Sequence, residues 1–326
     1  MSERADPMLA IDGLAIEIDG NRIVDGVSLS VETGRILAIV GESGCGKSLT
    51  ALSVLGLLPG AARVAGGSIR LGGRELMGLS EAELSQVRGN DAAIIFQEPV
   101  ASLNPLMRVG EQVEEALLLH RGLSRAAARE EAIAIMARVG IPDPARRARQ
   151  YPFELSGGMC QRIMIASALI CRPSLLIADE PTTALDVTIQ AQILELMRRL
   201  RDEVGSAVVL ITHDMGVVAD LADDVCVMYG GRIVESGPVD AIFTEPSHPY
   251  TRLLLGTIPK LDGARKTVLR TIEGMVPPAG AWPEGCRFRT RCPLADEACE
   301  QVPPAVVVGA EHRAACWHVD RLEAMA

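Results

Sequence analysis

The chain has 326 residues, 48% of them apolar, and a formal net charge of −10 at pH 7. This length and apolar content are typical of a globular protein with one large domain and an additional piece, and they exclude a disordered chain. The negative charge disfavours nonspecific binding to nucleic acid or to an anionic lipid surface, because either would repel an acidic protein.

The sequence shows no segment that would direct the chain into or across a membrane. Its longest apolar runs have the length of strands, well below the about 18 to 20 residues that a membrane helix needs. The N-terminus lacks the basic start and the apolar core of a secretory signal. We therefore expect a cytosolic chain with reduced thiols.

The first part of the chain predicts a hairpin and then a buried strand. Residues 14–31 alternate between apolar and polar around an Asp-Gly turn, which is typical of a half-buried antiparallel hairpin. The apolar run 35–40 predicts a strand that leads directly into GESGCGKS, residues 41–48. The apolar segment after it predicts a helix from Lys47 that is stopped by Pro59-Gly60.

The central part predicts a parallel sheet interrupted by a helical insertion. Residues 174–179 and 206–212 are buried-strand patterns, and the helical pattern 187–204 lies between them. Strand, helix and strand at this spacing favour parallel strands joined by crossover helices. Before them, residues 111–149 have helical periodicity and indicate an insertion over about 98–158.

The last part predicts a hairpin and then a separate domain. Residues 224–237 predict a hairpin of two strands joined by a turn at Gly230-Gly231. After them the composition shifts to Pro, Arg and Cys, so we place a domain boundary near residue 240. The predicted domains are 1–240 and 241–326.

GESGCGKS matches the phosphate-binding pattern G-x-x-x-x-G-K-[ST] between a predicted strand and a predicted helix, the context that this pattern requires. Its glycines let backbone N–H groups face phosphates, Lys47 would reach the β- and γ-phosphates, and the Ser48 hydroxyl can bind Mg²⁺. This context disfavours the alternative, a glycine turn with an incidental lysine. For Cys45 we expect a small-residue role, and alkylation of its thiol should block nucleotide binding. The candidate ATP-binding residues here are Gly41, Ser43, Gly44, Cys45, Gly46, Lys47, Ser48 and Leu49.

Polar residues at the ends of two predicted strands suggest the hydrolytic groups. Asp179 can hold the Mg²⁺ shell, and Glu180 can orient and polarise an attacking water. The alternative is a carboxylate that only caps the next helix. His213 follows the next strand, which would bring it to the same phosphate edge; a purely structural histidine is the alternative.

A second glycine-rich helix start, ELSGGMCQR, spans residues 154–162. Ser156 and the N–H groups after it would form an anion site at a helix N-terminus, although no lysine accompanies them. The alternative is an ordinary helix N-cap on a glycine turn.

Gln97 in IIFQEP, ELSGGMCQR, DEPTTALD and ITHD follow the phosphate loop in this order, and residues 8–240 thereby resemble the ATP-binding subunit of an ABC transporter. The resemblance implies an α/β fold, a P-loop ABC ATPase domain with a parallel sheet core, an antiparallel β lobe and a helical insertion, followed by a small Cys-rich domain. It also implies a head-to-tail dimer in which the signature segment of one subunit faces the γ-phosphate bound by its partner. That segment comprises Leu155, Ser156, Gly157 and Gly158.

The same resemblance assigns further roles. Glu180 would be the catalytic base, His213 the switch histidine and Asp186 the aspartate that crosses the dimer. Gln97 would touch Mg²⁺, together with Ser48 and Asp179, and would sense the membrane subunits. Two positions depart from the family: Ile18 replaces the usual aromatic ring that stacks on adenine, and Cys160 replaces a larger, often basic residue.

Four further segments, 97–112, 151–159, 178–194 and 247–255, are similar to the oligopeptide/dipeptide importer branch, which also contains nickel and some sugar importers. This implies an ATP-hydrolysing subunit on the cytoplasmic face of a membrane that powers peptide import. The implied partners are two membrane permeases that dock near Pro99–Val109, a second and commonly different ABC ATPase, and an extracytoplasmic solute-binding protein. The alternatives are a soluble ABC ATPase, an importer of nickel or another small solute, and a regulatory subunit that does not hydrolyse ATP.

Four cysteines near the C-terminus, Cys286, Cys292, Cys299 and Cys316, lie in a region similar to the C-terminal extension of that branch. Four thiolates are enough for a [4Fe-4S] cluster or a structural Zn²⁺. The short C-x₂-C pair common in zinc ribbons is absent, so we favour the iron–sulfur cluster, which the resemblance also supports, over zinc and over plain reduced thiols. His312 and His318 could act as substitute ligands, but we interpret them as surface residues.

Overall fold

The structure is a computed structural model that describes residues 6–182, 187–258 and 271–325. Asp186, the predicted dimer-crossing aspartate, lies outside these residues. None of the helices in the described ranges has both the length and the hydropathy that a membrane crossing requires.

The bounds of the regular elements follow in chain order. The strands are β1 (Leu9–Ile18), β2 (Asn21–Val31), β3 (Ile36–Val40), β4 (Ala62–Leu71), β5 (Arg74–Glu75), β6 (Ala92–Ile95), β7 (Leu175–Asp179), β8 (Ala207–Ile211), β9 (Asp224–Tyr229), β10 (Arg232–Pro238), β11 (Ala305–Gly309) and β12 (His312–Ala315). The helices are α1 (Lys47–Val54), α2 (Glu81–Val87), α3 (Pro99–Ser102), α4 (Val109–His120), α5 (Arg125–Arg138), α6 (Pro144–Arg147), α7 (Gly157–Leu169), α8 (Val187–Val204), α9 (Met215–Leu221), α10 (Val239–Thr244) and α11 (Pro249–Gly256).

The chain forms two compact units, each built from separate segments. The first consists mainly of Leu71–Ile211, and the second of Ala10–Ser30, Ile36–Arg70 and Thr212–Ala326. The domain boundary near residue 240 does not coincide with a division between these units and stays a prediction.

In the first unit, β7 pairs in parallel with β6 on one side and with β8 on the other. Every residue of β7 and β8 is buried, which explains their continuous apolar sequences. The long helix α8 joins them, so the predicted strand–helix–strand unit is confirmed. Asp179 is the last residue of β7 and lies opposite Ile211.

The helical insertion of the first unit packs through small and apolar side chains. Val109, Val113 and Leu117 are buried on α4 at intervals of one helical turn. Ala128 and Ala132 are buried on α5 at the same spacing, and α4, α5 and α7 contact one another. The helical periodicity seen in the sequence therefore marks the faces that pack.

In the second unit, neighbouring strands follow the order β11, β12, β10, β9, β3. β3 and β9 are parallel, whereas β9 and β10 form an antiparallel hairpin that turns at Gly230-Gly231, as predicted. β12 pairs with β10, and β11 with β12. The C-terminal strands thus extend the sheet that carries β3, the strand before the phosphate loop.

The N-terminal strands form a smaller sheet in the second unit, in the order β2, β1, β4. The predicted Asp-Gly turn joins β1 to β2, with φ of 49° at Asp19 and 79° at Gly20. Both values are positive, as the favoured two-residue hairpin turn requires.

One predicted boundary is wrong. The helix after the phosphate loop ends at Val54, before the expected stop at Pro59-Gly60. Gly56 has φ of 62°, and the Leu57 N–H donates to the Leu52 carbonyl at 2.9 Å. This glycine cap closes the helix because glycine adopts the left-handed conformation without a Cβ clash.

Candidate nucleotide-binding and catalytic residues

The phosphate loop lies between β3 and α1 in the second unit, the context predicted for it. Gly41 has φ of 148°, and a Cβ built there would lie 2.1 Å from the Met228 carbonyl oxygen. Gly46 has φ of 98° at the start of α1. No other residue fits either position without displacing its neighbours. Within the loop, Ser43 and Gly44 are exposed, Cys45 is buried, and Ser48 and Leu49 are half-buried.

Lys47 is held by the backbone of the loop itself. Its side chain is only 6% exposed. The ammonium nitrogen donates to the carbonyl oxygens of Gly41 at 2.8 Å and Glu42 at 3.1 Å. These contacts fix a buried positive charge at the helix start, where it adds to the attraction of the free N–H groups for an anion.

Cys45 is a buried thiol rather than a reactive one. Burial raises its pKa, and the nearby positive charge of Lys47 lowers it by less. A raised pKa leaves little thiolate, which is the reactive form. Blocking of nucleotide binding by alkylation of Cys45 stays a prediction.

The first unit brings the predicted catalytic base Glu180 together with Gln97, a predicted Mg²⁺ contact. The Gln97 amide Nε2 donates to the Glu180 carboxylate Oε2 at 2.9 Å. The Glu180 N–H donates to the Ile211 carbonyl at 2.9 Å, and its φ is 47°. A left-handed backbone is unfavourable for glutamate and is found at functional sites where the surroundings hold it in place. Asp179, just before it, is buried at the end of β7.

The signature segment begins α7 in the first unit. Ser156 is the N-cap residue, and its hydroxyl accepts a hydrogen bond from the Met159 N–H at 3.3 Å. Ser156 and Gly157 are exposed, and Leu155 and Gly158 are half-buried. The first turn carries no acidic residue, so its N–H groups can receive an anion.

Two further predicted positions have defined surroundings. Cys160 is fully buried, and its Sγ contacts the Pro152 carbonyl at 3.4 Å, so it is a packing residue. His213 is exposed in the second unit, directly after Thr212, whose N–H donates to the Ile39 carbonyl of β3 at 3.4 Å. The chain at His213 therefore runs beside the strand that leads into the phosphate loop. Ile18, at the adenine position, is half-buried at the end of β1.

The four C-terminal cysteines all belong to the second unit. Burial and repulsion from other cysteines of this set raise the pKa of Cys286, Cys292 and Cys316. Burial is the larger cause, and with this repulsion it raises the pKa of Cys292 to about 12 and that of Cys316 to about 11. In addition, the Cys286 N–H donates to the Cys299 carbonyl at 3.0 Å. Among the described residues, the group whose ligand atoms lie close enough to share one metal ion is Asp296, Cys299 and His318, so a centre held by all four cysteines stays a prediction.

The interpretation of His312 and His318 as surface residues is wrong, because both are buried. His312 Nε2 lies 2.8 Å from the carboxylate of Glu235, a residue of the neighbouring strand β10. His318 Nε2 lies 2.9 Å from the Asp296 carboxylate, and these two side chains form a compact group with Cys299. Pairing with a carboxylate is what makes their burial favourable.

Sequence analysis missed two residues that contact the phosphate loop, Tyr250 and Arg291. The Tyr250 hydroxyl accepts a hydrogen bond from the Glu42 N–H, and Arg291 binds the Glu42 carboxylate. Burial lowers the pKa of Arg291, but its hydrogen bonds to Glu42 and Tyr229 outweigh this effect and raise it. Both residues lie in segments that the sequence analysis noted, SHPYTR and the region around Cys292. No local pattern, however, predicts a contact with a residue more than two hundred positions away.

Comparison with known proteins agrees with these observations. A family model described as "ABC transporter" matches residues 24–183, and one described as "Oligopeptide/dipeptide transporter, C-terminal region" matches residues 234–299. The "Probable peptide ABC transporter ATP-binding protein y4tR" of Sinorhizobium fredii is 49% identical, over 96% of both chains. The "Dipeptide transport ATP-binding protein DppD" of Bacillus subtilis is 50% identical, over 91% of this chain and 89% of that protein.

The chain belongs to the ABC transporter ATP-binding proteins. Solved structures agree with this ABC ATPase fold: a dimeric ATP-binding cassette, MJ0796, in a post-hydrolysis state with ADP and Pi has a TM-score of 0.65 at 27% identity, over 71% of this chain and 99% of that one. The protein cbiO1 from Clostridium perfringens, part of the ABC transporter complex cbiONQ, has a TM-score of 0.63 at 27% identity, over 74% of this chain and 92% of that one. The predicted P-loop ABC fold and the prediction of an ATPase are thus confirmed.

Proposed function

We propose that this ABC ATPase subunit hydrolyses ATP to power the import of oligopeptides or dipeptides through separate membrane permeases. The hydrolytic part rests on the contact between the Gln97 amide and the Glu180 carboxylate. The peptide part is supported by relatives about half identical over nearly their whole length that are named for peptide or dipeptide transport. Import of nickel or another solute and a soluble role are less well supported by these relatives.

Each predicted site residue has a role in this proposal. Lys47 and the loop N–H groups bind the β- and γ-phosphates, while Ser48, Gln97 and Asp179 hold Mg²⁺. When bound, Mg²⁺ neutralises charge on the phosphate oxygens. Glu180 accepts a proton from a water molecule as the water oxygen attacks the γ-phosphorus and ADP leaves.

The remaining predicted residues act on the γ-phosphate or across a dimer of two ATPase subunits. His213 contacts the γ-phosphate from within the same chain. In the dimer, the α7 start of one subunit binds the γ-phosphate held by its partner, which supplies the lysine that the signature segment lacks. Asp186 crosses between the subunits. The second ATPase is a related chain, and an extracytoplasmic protein delivers the solute.

The permeases dock on the helical insertion in this proposal, near the predicted contact segment Pro99–Val109. Leu106 is 85% exposed in that segment, and Phe153 is 74% exposed in the same unit. Large apolar side chains exposed to this degree are typical of surfaces that partners cover. The subunit is then peripheral, on the cytoplasmic face of the membrane.

Leu106→Asp is expected to reduce the recovery of permeases with the tagged full chain at least about tenfold, because a charge would be buried against an apolar partner surface. The measurement is quantitative mass spectrometry of proteins that copurify from detergent-solubilised native membranes. Leu119→Asp is the matched control, because Leu119 is 70% exposed on α4 but outside the contact segment.

With the wild-type chain we expect two polytopic permeases, a related ATPase and peptide uptake that depends on them. Recovery of ribosomal or assembly proteins instead would refute the transport assignment. Equal permease loss in the Leu106 and Leu119 variants would refute the docking segment alone.

We further propose that Cys286, Cys292, Cys299 and Cys316 bind a [4Fe-4S] cluster, in a small Cys-rich domain over 241–326. The donor set fits in number, since one region supplies four thiols, and a bound metal centre would favour their deprotonation against the raised pKa of Cys292 and Cys316. A cluster would supply a one-electron redox centre or a covalent link between the loops. Zn²⁺ is the alternative, for which the group of Asp296, Cys299 and His318 also offers ligands.

Cys292→Ser is expected to lower the iron content of anaerobically purified chain from about four atoms to near zero, because a four-iron cluster needs all four thiolates. Iron, zinc and acid-labile sulfide are measured on the same sample. Cys171→Ser is the control, because Cys171 is buried in the first unit. One zinc and no iron in the wild-type chain would refute the cluster and establish the alternative.

A further inference from the structure

Glu42, the second residue of the phosphate loop, is bound by an arginine from the far end of the chain. The two terminal nitrogens of Arg291 lie 2.6 Å and 3.0 Å from the two carboxylate oxygens of Glu42. The Arg291 side chain is only 3% exposed. The Glu42 side chain is 29% exposed, so the pair joins a buried guanidinium to a half-buried carboxylate. Bidentate geometry fixes both direction and distance.

The backbone of Glu42 also forms hydrogen bonds, one to the C-terminal region and one to Lys47. Its N–H donates to the hydroxyl of Tyr250 at 2.9 Å, and its carbonyl accepts from the Lys47 ammonium at 3.1 Å. The Tyr250 ring is fully buried, and its centroid lies 4.8 Å from that of Tyr229 and 5.3 Å from that of Phe288. Three groups of Glu42 therefore connect the C-terminal region to the lysine that is expected to bind phosphate.

Tyr250 is itself held in place by a buried network. Its N–H donates to His248 Nδ1 at 3.0 Å, and burial lowers the pKa of His248 to about 3, which keeps that ring neutral and able to accept. The buried Glu235 carboxylate accepts from the N–H groups of Ser247 and His248 and contacts His312. The SHPYTR segment has no role in the hydrolytic mechanism. Its contacts with β10, which in turn contacts β12, place Tyr250 against the phosphate loop.

Arg291 is also one peptide bond from Cys292. The backbone around Arg291 is thereby tied to the cysteine group. Its guanidinium donates to the carbonyls of Glu273 and Ile272, so a second segment of the C-terminal region fixes the same side chain. The position of Arg291 is therefore fixed by contacts from within the C-terminal region.

We propose that Tyr250 and Arg291 are positioning residues through which the C-terminal region sets the conformation of the phosphate loop and hence its affinity for ATP. This inference rests on nucleotide binding at the loop, which is part of the proposed function, and is independent of the transported solute. Glu42 is the receiving residue: the C-terminal contacts fix its backbone and side chain, and its carbonyl fixes Lys47.

The test is the affinity of the purified full chain for Mg²⁺-ATP, measured by isothermal titration calorimetry beside the thermal midpoint of each variant. Arg291→Ala is expected to raise Kd about tenfold, the effect of losing one charge-assisted interaction. Arg291→Lys keeps the charge but loses the bidentate geometry and should be intermediate. Tyr250→Phe keeps the buried ring and loses only the hydroxyl, so it tests the same link if Arg291→Ala does not fold.

Arg289→Ala is the matched control. It removes the same charge from the same segment, but Arg289 pairs with the exposed Glu300 rather than with the loop. Its Kd should stay within about twofold of wild type, since surface ion pairs contribute little. The double variant Glu42→Gln/Arg291→Ala should bind ATP no more weakly than Arg291→Ala, because the two substitutions break the same ion pair.

A purely structural role would lower the thermal midpoint in Arg291→Ala and Tyr250→Phe without changing Kd, and that result would overturn the inference. An equal rise in Kd for Arg289→Ala would also overturn it. Failure of the wild-type chain to bind Mg²⁺-ATP would refute nucleotide binding itself, and with it the proposed function. Wild-type binding that the variants leave unchanged would refute this inference alone.

Discussion

Glu180→Gln is expected to reduce ATP turnover by the assembled transporter at least about 100-fold, the usual contribution of a general base. The carboxylate is the only group in the proposed mechanism that can accept the proton of the attacking water. Gln97 already donates to this side chain at 2.9 Å, and the amide oxygen of a glutamine can accept the same hydrogen bond. The substitution should therefore remove the base and leave the local geometry and ATP affinity in place.

The measurement is phosphate release by the reconstituted complex, with Mg²⁺-ATP binding measured on the same preparation. Glu203→Gln serves as the control, because Glu203 is an exposed glutamate paired with Arg138 and loses the same charge. Unchanged turnover in Glu180→Gln would contradict the assigned base and would favour a regulatory subunit that does not hydrolyse ATP.

Lys47→Ala is expected to raise Kd for Mg²⁺-ATP about 100-fold, because a charged hydrogen bond to phosphate contributes up to about 3 kcal/mol. The ammonium is buried and already fixed on the carbonyls of Gly41 and Glu42, so little conformational freedom is lost when it binds phosphate. Its removal deletes the only side-chain cation of the loop.

Titration calorimetry of the full chain gives this Kd directly. Arg70→Ala removes a positive charge from an exposed pair with Asp12 in the same unit and controls for net charge. If Arg70→Ala weakened ATP binding as much as Lys47→Ala, the loss would be explained by net charge, and the specific role of Lys47 would be contradicted.

Much of the fold was predictable because its signals are local. The helix pattern over 187–204 coincides with α8, and the apolar run 174–179 contains the whole of β7. The early end of α1 was also encoded locally, since Gly56 is the cap, but the proline after it gave the stronger signal. Phosphate-binding loops can also be predicted from sequence, because they need glycine at fixed positions, a strand before them and a helix after them.

The sequence by itself determined the family, the order of the nucleotide motifs and the four cysteines, because each is a short pattern whose chemistry depends on neighbouring residues. Only the tertiary structure decided that His312 is buried against Glu235 and that Arg291 holds Glu42. These contacts arise when β12 pairs with β10 and the C-terminal segment meets the phosphate loop. Such pairing depends on the packing of distant segments, which no spacing along the chain specifies.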